Sequence, residues 1–124
     1  MRIIGLILVA LIAALHLYIA YFEIFAWTTR GPEVFTTFPK DLFEPTVTLA
    51  ANQGIYNFFL AAGLIWSLLI KDRQWQLNVA TCFLLFVLIA GVFGAATAST
   101  RILFVQAVPA TLALIAMWVG RSKD

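Results

Sequence analysis

A carboxylate and an imidazole share one face of the first apolar segment of the chain. Glu23 lies near the end of the apolar run 3–27, and His16 precedes it by seven residues, about two helical turns. His16, Ala20, Glu23 and Trp27 therefore occupy one helix face. Ionisable side chains inside a membrane helix are rare, face the protein interior and by default mark a functional site. A carboxylate in that position must be protonated, paired or hydrated, so Glu23 is the candidate for a proton-linked group.

Uncharged polar side chains cluster at the same predicted side of the membrane. Three amides and a phenol fall within six residues near the start of the second apolar run, and a further amide lies near the start of the fourth. Such groups are costly in hydrocarbon unless they are hydrogen-bonded. Counted from the helix ends, they form two layers. The outer layer is Glu23, Asn52, Gln53 and Gln106, and the deeper layer is His16, Tyr56 and Asn57.

These layers predict a one-sided polar pocket, because the opposite half of the bundle is almost purely apolar. We expect Glu23 to face the bundle interior and to meet an amide or hydroxyl from the second or fourth helix. The expected partners are Asn52, Gln53, Tyr56 and Gln106. A network that only holds helices together is the alternative interpretation of the same residues.

The composition places the chain in a membrane. Of its 124 residues, 63% are hydrophobic and 11% are charged, and the mean hydropathy is +0.97. Soluble domains carry about 25% charged residues. We therefore predict an all-α integral membrane protein with a single domain over 1–124, folded as an antiparallel bundle of four transmembrane helices. The expected helices are 3–27, 47–70, 77–98 and 102–119, with an extramembrane link over 28–46.

The link combines helix-breaking and apolar residues. Pro32, Pro39 and Pro45 rule out a long helix there. Its four large apolar side chains are too many for a free linker, and they are Phe35, Phe38, Leu42 and Phe43. The link is therefore expected to be an interfacial anchor or a lid over a site, and the sequence leaves both alternatives open.

Small residues in the third run predict close helix contacts. Gly91 with Ala95, and Ala90 with Gly94, form small-xxx-small pairs that let a neighbouring backbone approach. We expect this surface to pack inside the bundle, and self-association of the protein through Gly91, Gly94 and Ala95 is a further expectation.

The distribution of basic residues predicts an orientation. One side of the bundle holds Arg2, Lys71, Arg73, Arg121 and Lys123, and the other holds Arg30, Lys40 and Arg101. The excess favours cytoplasmic location of both termini. The same residues stand singly beside apolar runs, which argues against a nucleic-acid partner in spite of the net charge of +2.

The sequence points to no metal or cofactor. Cys82 is the only cysteine and His16 the only histidine, which disfavours a disulfide and a transition-metal site within one chain. We find no nucleophile motif and no nucleotide fingerprint, and the sequence leaves open whether the protein is an enzyme.

Several blocks together resemble a known family. They are His16-Leu17-Tyr18-Ile19 with Glu23 and Trp27, the run Asn52 to Gly63, Ala90-Gly91 with Gly94, and Gln106 with Pro109-Ala110. The chain resembles small bacterial membrane proteins catalogued as a domain of unknown function, number thirteen-hundred-and-four. The resemblance implies four helices and an inner-membrane location, and it implies no activity.

Three functions follow from these residues as hypotheses. The first is the binding or transport of a small molecule, with Glu23 as the proton-linked or cation-pairing group. The second is a quinone- or lipid-linked enzyme or redox accessory in which His16 and Glu23 exchange protons. The third is a structural subunit of a membrane complex, packed through the small residues of the third run.

Overall fold

The computed structural model describes residues 1–121, and this part of the chain is helical without strands. Its α-helices are α1 (Arg2–Phe25), α2 (Trp27–Val34), α3 (Val47–Leu69), α4 (Arg73–Thr97) and α5 (Val108–Gly120). A short 3-10 helix covers Lys40–Leu42, and a π-helical segment over Leu103–Ala107 leads into α5. Lys123, counted above among the basic residues of one side, lies outside the described residues.

Three helical stretches are long and apolar enough to cross a membrane. They are Arg2–Phe25, Arg73–Thr97 and the continuous stretch Leu103–Gly120. The helix α3 has 23 residues, which is sufficient length, but its amides and Tyr56 lower its hydropathy. The membrane character predicted from the composition agrees with these three stretches.

The long helices pack in a ring. The helix α1 contacts α3 and α5, and α4 contacts the same two helices from the other side. The shared core is aliphatic, with Val9, Leu64, Leu84 and Ala113 each contributed by a different helix and each fully buried. The ring therefore gives every long helix two neighbours.

Two glycines of α4 lie where this helix closely approaches the last helical stretch. A Cβ atom on Gly91 would lie 2.8 Å from the backbone nitrogen of Ala107, and one on Gly94 would lie 3.1 Å from a side-chain carbon of Ile102. Both glycines thus face the chain's own last helical stretch, as expected for packing inside the bundle. Self-association through this surface stays a prediction.

The first helix ends earlier than predicted. It stops at Phe25 because Ala26 leaves the helical conformation, with φ −125° and ψ 15°. The chain then turns into α2, so the predicted link over 28–46 begins as a helix. The expectation that proline forbids a long helix still holds, since α2 has only eight residues, with Pro32 near its end.

The third long helix begins earlier than predicted. It starts at Arg73 instead of residue 77, because the Asp72 side chain caps its first turn and accepts a hydrogen bond from the Trp75 backbone N–H at 2.9 Å. The break between the predicted helices 47–70 and 77–98 is therefore shorter than expected.

The fourth predicted span is irregular at its start. Pro109 has no N–H to donate to the carbonyl four residues before it. The chain just before it widens into the π-helical segment, and the N–H of Val108 bonds to the carbonyl of Leu103, five residues back. The predicted helix 102–119 is thus continuous in length but changes its winding near Gln106.

Candidate functional site

A hydrogen bond between two polar side chains crosses the contact between α1 and α3. The Asn57 side-chain amide donates to Oε1 of Glu23 at 2.6 Å. The same amide also lies 3.3 Å from the carbonyl oxygen of Gln53, one turn earlier on α3. Both Glu23 and Asn57 are half-buried, so the carboxylate is sheltered from one side and accessible from the other.

A glycine brings the two backbones together at this point. A Cβ on Gly54 would lie 2.7 Å from Cγ1 of Ile24 and 3.1 Å from both the Ala20 carbonyl oxygen and Cβ of Glu23. Gly54 is one helical turn before Asn57 on α3. The absence of a side chain there lets α3 approach α1 closely enough for Asn57 to reach the carboxylate.

The partner of Glu23 differs from those expected. It is an amide of the second predicted span, but it is Asn57, which was placed in the deeper layer. Asn52, Gln53 and Tyr56 are exposed, and Tyr56 retains 58% of its accessible surface. Gln106 is half-buried next to Gly91 of α4. The two predicted layers are therefore not assembled into one cluster.

The layers were misplaced because helix ends are not level. Glu23 lies two residues before the end of α1, whereas Gly54, which packs against it, lies seven residues after the start of α3. The first turn of α3 thus extends past the end of α1. Counting residues from each end therefore assigned the wrong depth to Asn57.

His16 is buried on the face predicted for it. Only 1% of its surface is exposed, and its Nδ1 lies 2.9 Å from the carbonyl oxygen of Ile12. A carbonyl only accepts hydrogen bonds, so Nδ1 carries the proton. Among the described residues, Nε2 has no hydrogen-bond partner. No contact joins His16 to Glu23, which is two turns away.

An aromatic cap covers the end of α1. We use this name for the cluster Phe22, Trp27, Phe35, Phe38 and Phe43, whose neighbouring rings lie 4.9 to 6.1 Å apart. Phe43 is 2% exposed and packs against Gly31. The Trp27 indole N–H donates to the Thr46 hydroxyl at 2.9 Å, which attaches the cap to the start of α3.

Two surface cavities lie elsewhere on the molecule. One, of about 310 Å³, is an apolar groove between α4 and the stretch 103–112, and one of about 60 Å³ lies among the basic residues at the opposite end of α1. Neither is lined by Glu23, His16 or Asn57. Residues 1–121 contain no group of three or more His, Cys, Asp or Glu side chains placed to hold a metal ion.

Sequence reasoning missed one polar junction. Gln76 is 4% exposed and accepts a hydrogen bond from the Arg2 guanidinium at 2.7 Å. Its amide N–H groups approach the carbonyls of Ser67 and Ile70 at 3.1 and 3.3 Å. The sequence did contain a signal for a buried amide at this position, because Gln76 directly precedes the apolar run of the same helix.

Comparison with known proteins identifies a family without a known activity. The chain is 33% identical over 117 residues to "Uncharacterized protein YpaA" of Lactococcus lactis subsp. lactis (strain IL1403), covering 93% of this chain and 97% of that protein. No solved structure matches the chain significantly. A family model matches residues 10–118. The chain therefore belongs to the family described as "Protein of unknown function (DUF1304)".

Proposed function

We propose that the protein is an antiparallel four-span bundle of the bacterial inner membrane. Three stretches meet the requirements for spans, and α3 would extend about 35 Å at 1.5 Å per residue, more than the roughly 30 Å of hydrocarbon. Arg2 lies against Gly120, and Ala20 lies against Gly54. These contacts support antiparallel neighbours, since the start of one helix meets the end of the next.

The basic residues support one orientation for this bundle. Arg2, Arg73 and Arg121 surround the same small cavity, while Arg30 and Arg101 follow the far ends of α1 and α4. The clustered end is the cytoplasmic one by the positive-inside rule.

Topology reporters test this arrangement. A reporter inserted after Thr37 in the link should be periplasmic, and one fused after Arg121 should be cytoplasmic. A reporter within 70–72 is the control and should also be cytoplasmic, because α3 then crosses the membrane. If the reporters after Thr37 and after Arg121 were on the same side of the membrane, the four-span arrangement would be contradicted.

Within this bundle, the contact between α1 and α3 binds a small cationic or amphipathic molecule, with Glu23 as its proton-linked group. The supporting observation is the half-buried Glu23 carboxylate, whose Oε1 is held by Asn57. Within residues 1–121, Oε2 has no hydrogen-bond donor. A carboxylate fixed at one oxygen and open at the other can exchange a proton for a cation.

Chemical labelling of Glu23 tests this function. Dicyclohexylcarbodiimide reacts with protonated carboxyl groups in apolar surroundings, so we expect one adduct per chain, located at Glu23 by peptide mass spectrometry. Tetraphenylphosphonium, a lipophilic cation, should slow the labelling, and raising the pH should also slow it because the reactive form is the acid.

Two variants separate binding from structure. Glu23→Gln should lose the adduct yet keep its thermal stability within about 0.5 kcal/mol, because the glutamine oxygen still accepts from Asn57. Glu33→Gln, on the exposed side of α2, is the matched control. In this variant Glu23 should be labelled at the same rate as in the unmodified protein. If tetraphenylphosphonium leaves the labelling rate unchanged, Glu23 and Asn57 form an interhelical contact without a cation site.

A further inference from the structure

The imidazole ring of His16 has one nitrogen that no described residue satisfies. His16 is 1% exposed, and its Nδ1–H donates to the carbonyl of Ile12 at 2.9 Å. Nε2 is then the lone-pair nitrogen of a neutral imidazole. Within residues 1–121 it has no hydrogen-bond donor. Buried polar atoms nearly always have a partner, which is either a protein group or an ordered water. A donor is therefore expected at Nε2.

The contact between α1 and α5 brings a second polar side chain to the level of His16. Gly5 packs against Met117, and the backbone of Arg2 packs against Gly120, so residue numbers run in opposite directions along the two helices. Each residue of a helix advances it by about 1.5 Å. His16 lies eleven residues after Gly5, and Gln106 lies eleven residues before Met117. His16 and Gln106 are therefore at the same level.

Both residues continue the buried faces along which these helices meet. On α1, Val9 and His16 are two turns apart, and both are buried. On the last helical stretch, Ala113 and Ala110 are fully buried, and Gln106 is the next residue at the same spacing of three or four. Residues with this spacing share one side of a helix. We therefore expect the side chains of His16 and Gln106 to point into the same interior layer.

The side chain of Gln106 is also without a partner in this part of the chain. It is half-buried, and its amide makes no hydrogen bond with any of residues 1–121. Its Cβ lies 3.0 Å from the position that a Cβ on Gly91 would occupy, so the side chain starts at the contact with α4. An amide has two N–H donors and one carbonyl acceptor. Gln106 can therefore supply the donor or the acceptor that a molecule next to His16 would need.

The backbone of the last helical stretch offers a further acceptor at this level. Pro109 has no N–H to donate to the carbonyls of the preceding turn. In that turn the N–H of Val108 bonds to the carbonyl of Leu103. The carbonyls of Phe104 and Val105, which are five and four residues before Pro109, therefore lose the donor that another residue at position 109 would provide.

We propose that a water molecule inside the bundle bridges His16 and Gln106. His16 and Gln106 do not bond to each other directly, and a water can join two polar groups that are too far apart for a direct bond. One O–H of this water donates to Nε2 of His16, and its oxygen accepts an N–H of the Gln106 amide. The second O–H is available for a carbonyl of the turn before Pro109. This gives the water about three hydrogen bonds, the usual number for a buried water.

Solution NMR of the detergent-purified protein tests this bridge. His16 is the only histidine of the chain, so labelling of histidine with ¹³C and ¹⁵N gives the signals of one imidazole ring, provided that the affinity tag contains no histidine. The hydrogen on Cδ2 is next to Nε2 and away from Nδ1. In a detergent without hydroxyl groups, magnetisation should pass from water to this hydrogen. If no transfer from water reaches it in the unmodified protein, the proposal is wrong.

A pair of variants tests the part played by Gln106. Gln106→Leu should abolish the transfer from water to His16, because the water loses the amide that holds it. Gln74→Leu, the same change at an exposed position of α4, is the matched control and should retain the transfer. Circular dichroism will show that both variants fold, and the result for the unmodified protein does not depend on them. Persistence of the transfer in folded Gln106→Leu would overturn the bridge.

Discussion

Replacement of Gly91 by leucine is expected to destabilise the bundle by about 1–3 kcal/mol, the usual cost of overpacking. A Cβ at this position would lie 2.8 Å from the Ala107 backbone nitrogen and 3.0 Å from Cβ of Gln106. A backbone atom in a helix cannot move aside as a side chain can, so α4 and the last helical stretch must separate. Thermal unfolding in detergent, followed by circular dichroism, will measure the loss.

Two neighbouring substitutions provide the comparison. At Gly94 the nearest atoms belong to the Ile102 side chain, at 3.1 and 3.3 Å, so Gly94→Leu should cost less. Ala90 is exposed, and Ala90→Leu should be nearly neutral. If Gly91→Leu melts at the same temperature as Ala90→Leu, the close approach of α4 to residues 106–107 is wrong.

The second large effect is expected at Gln76. Gln76→Leu removes the acceptor for Arg2 and the donors for the Ser67 and Ile70 carbonyls. Leaving a buried polar group without its partner costs about 1–3 kcal/mol, and more when the group is charged. The volume change is small, so the loss reports the hydrogen bonds. Thermal unfolding should show a clearly lower melting temperature for the variant than for the unmodified protein.

Gln74→Leu is the matched control for this prediction. Gln74 is exposed, and among residues 1–121 its side chain bonds only to Asn78 on its own helix, at 2.8 Å. The same change of side chain there should shift stability by no more than about 0.5 kcal/mol. Equal losses at positions 74 and 76 would show that the junction of α1, α3 and α4 does not depend on Gln76.

The sequence was sufficient to predict the membrane character and most of the helix positions. Long apolar runs and short polar breaks depend only on local composition, so the helix beginning at Val47 was predicted at the right residue. Errors arose where a single side chain decides the boundary. Because Asp72 caps the helix, α4 begins four residues before the predicted start, and Ala26 interrupts the first apolar run by separating α1 from α2.

The contact that Glu23 makes with α3 was predicted in part. Glu23 and an amide from the second predicted span do meet, because a carboxylate and an amide in apolar surroundings both gain from a partner. The identity of that amide depends on how far α3 extends past α1, which no pattern within one helix contains. The position of Gln106, turned toward Gly91, depends likewise on the wider turn before Pro109.

The ring of helices closes between its first and last members. Gly5 packs against Met117, and Arg2 packs against Gly120. Chains are synthesised from the N-terminus, and early segments begin to fold before later ones exist. In the proposed four-span bundle, α1 can therefore join α3 soon after both enter the bilayer, but α5, its other neighbour, is made last. In that arrangement, the surface of α1 around Gly5 would face lipid until α5 is inserted, so the earliest of these helices to be inserted is the last to be fully enclosed.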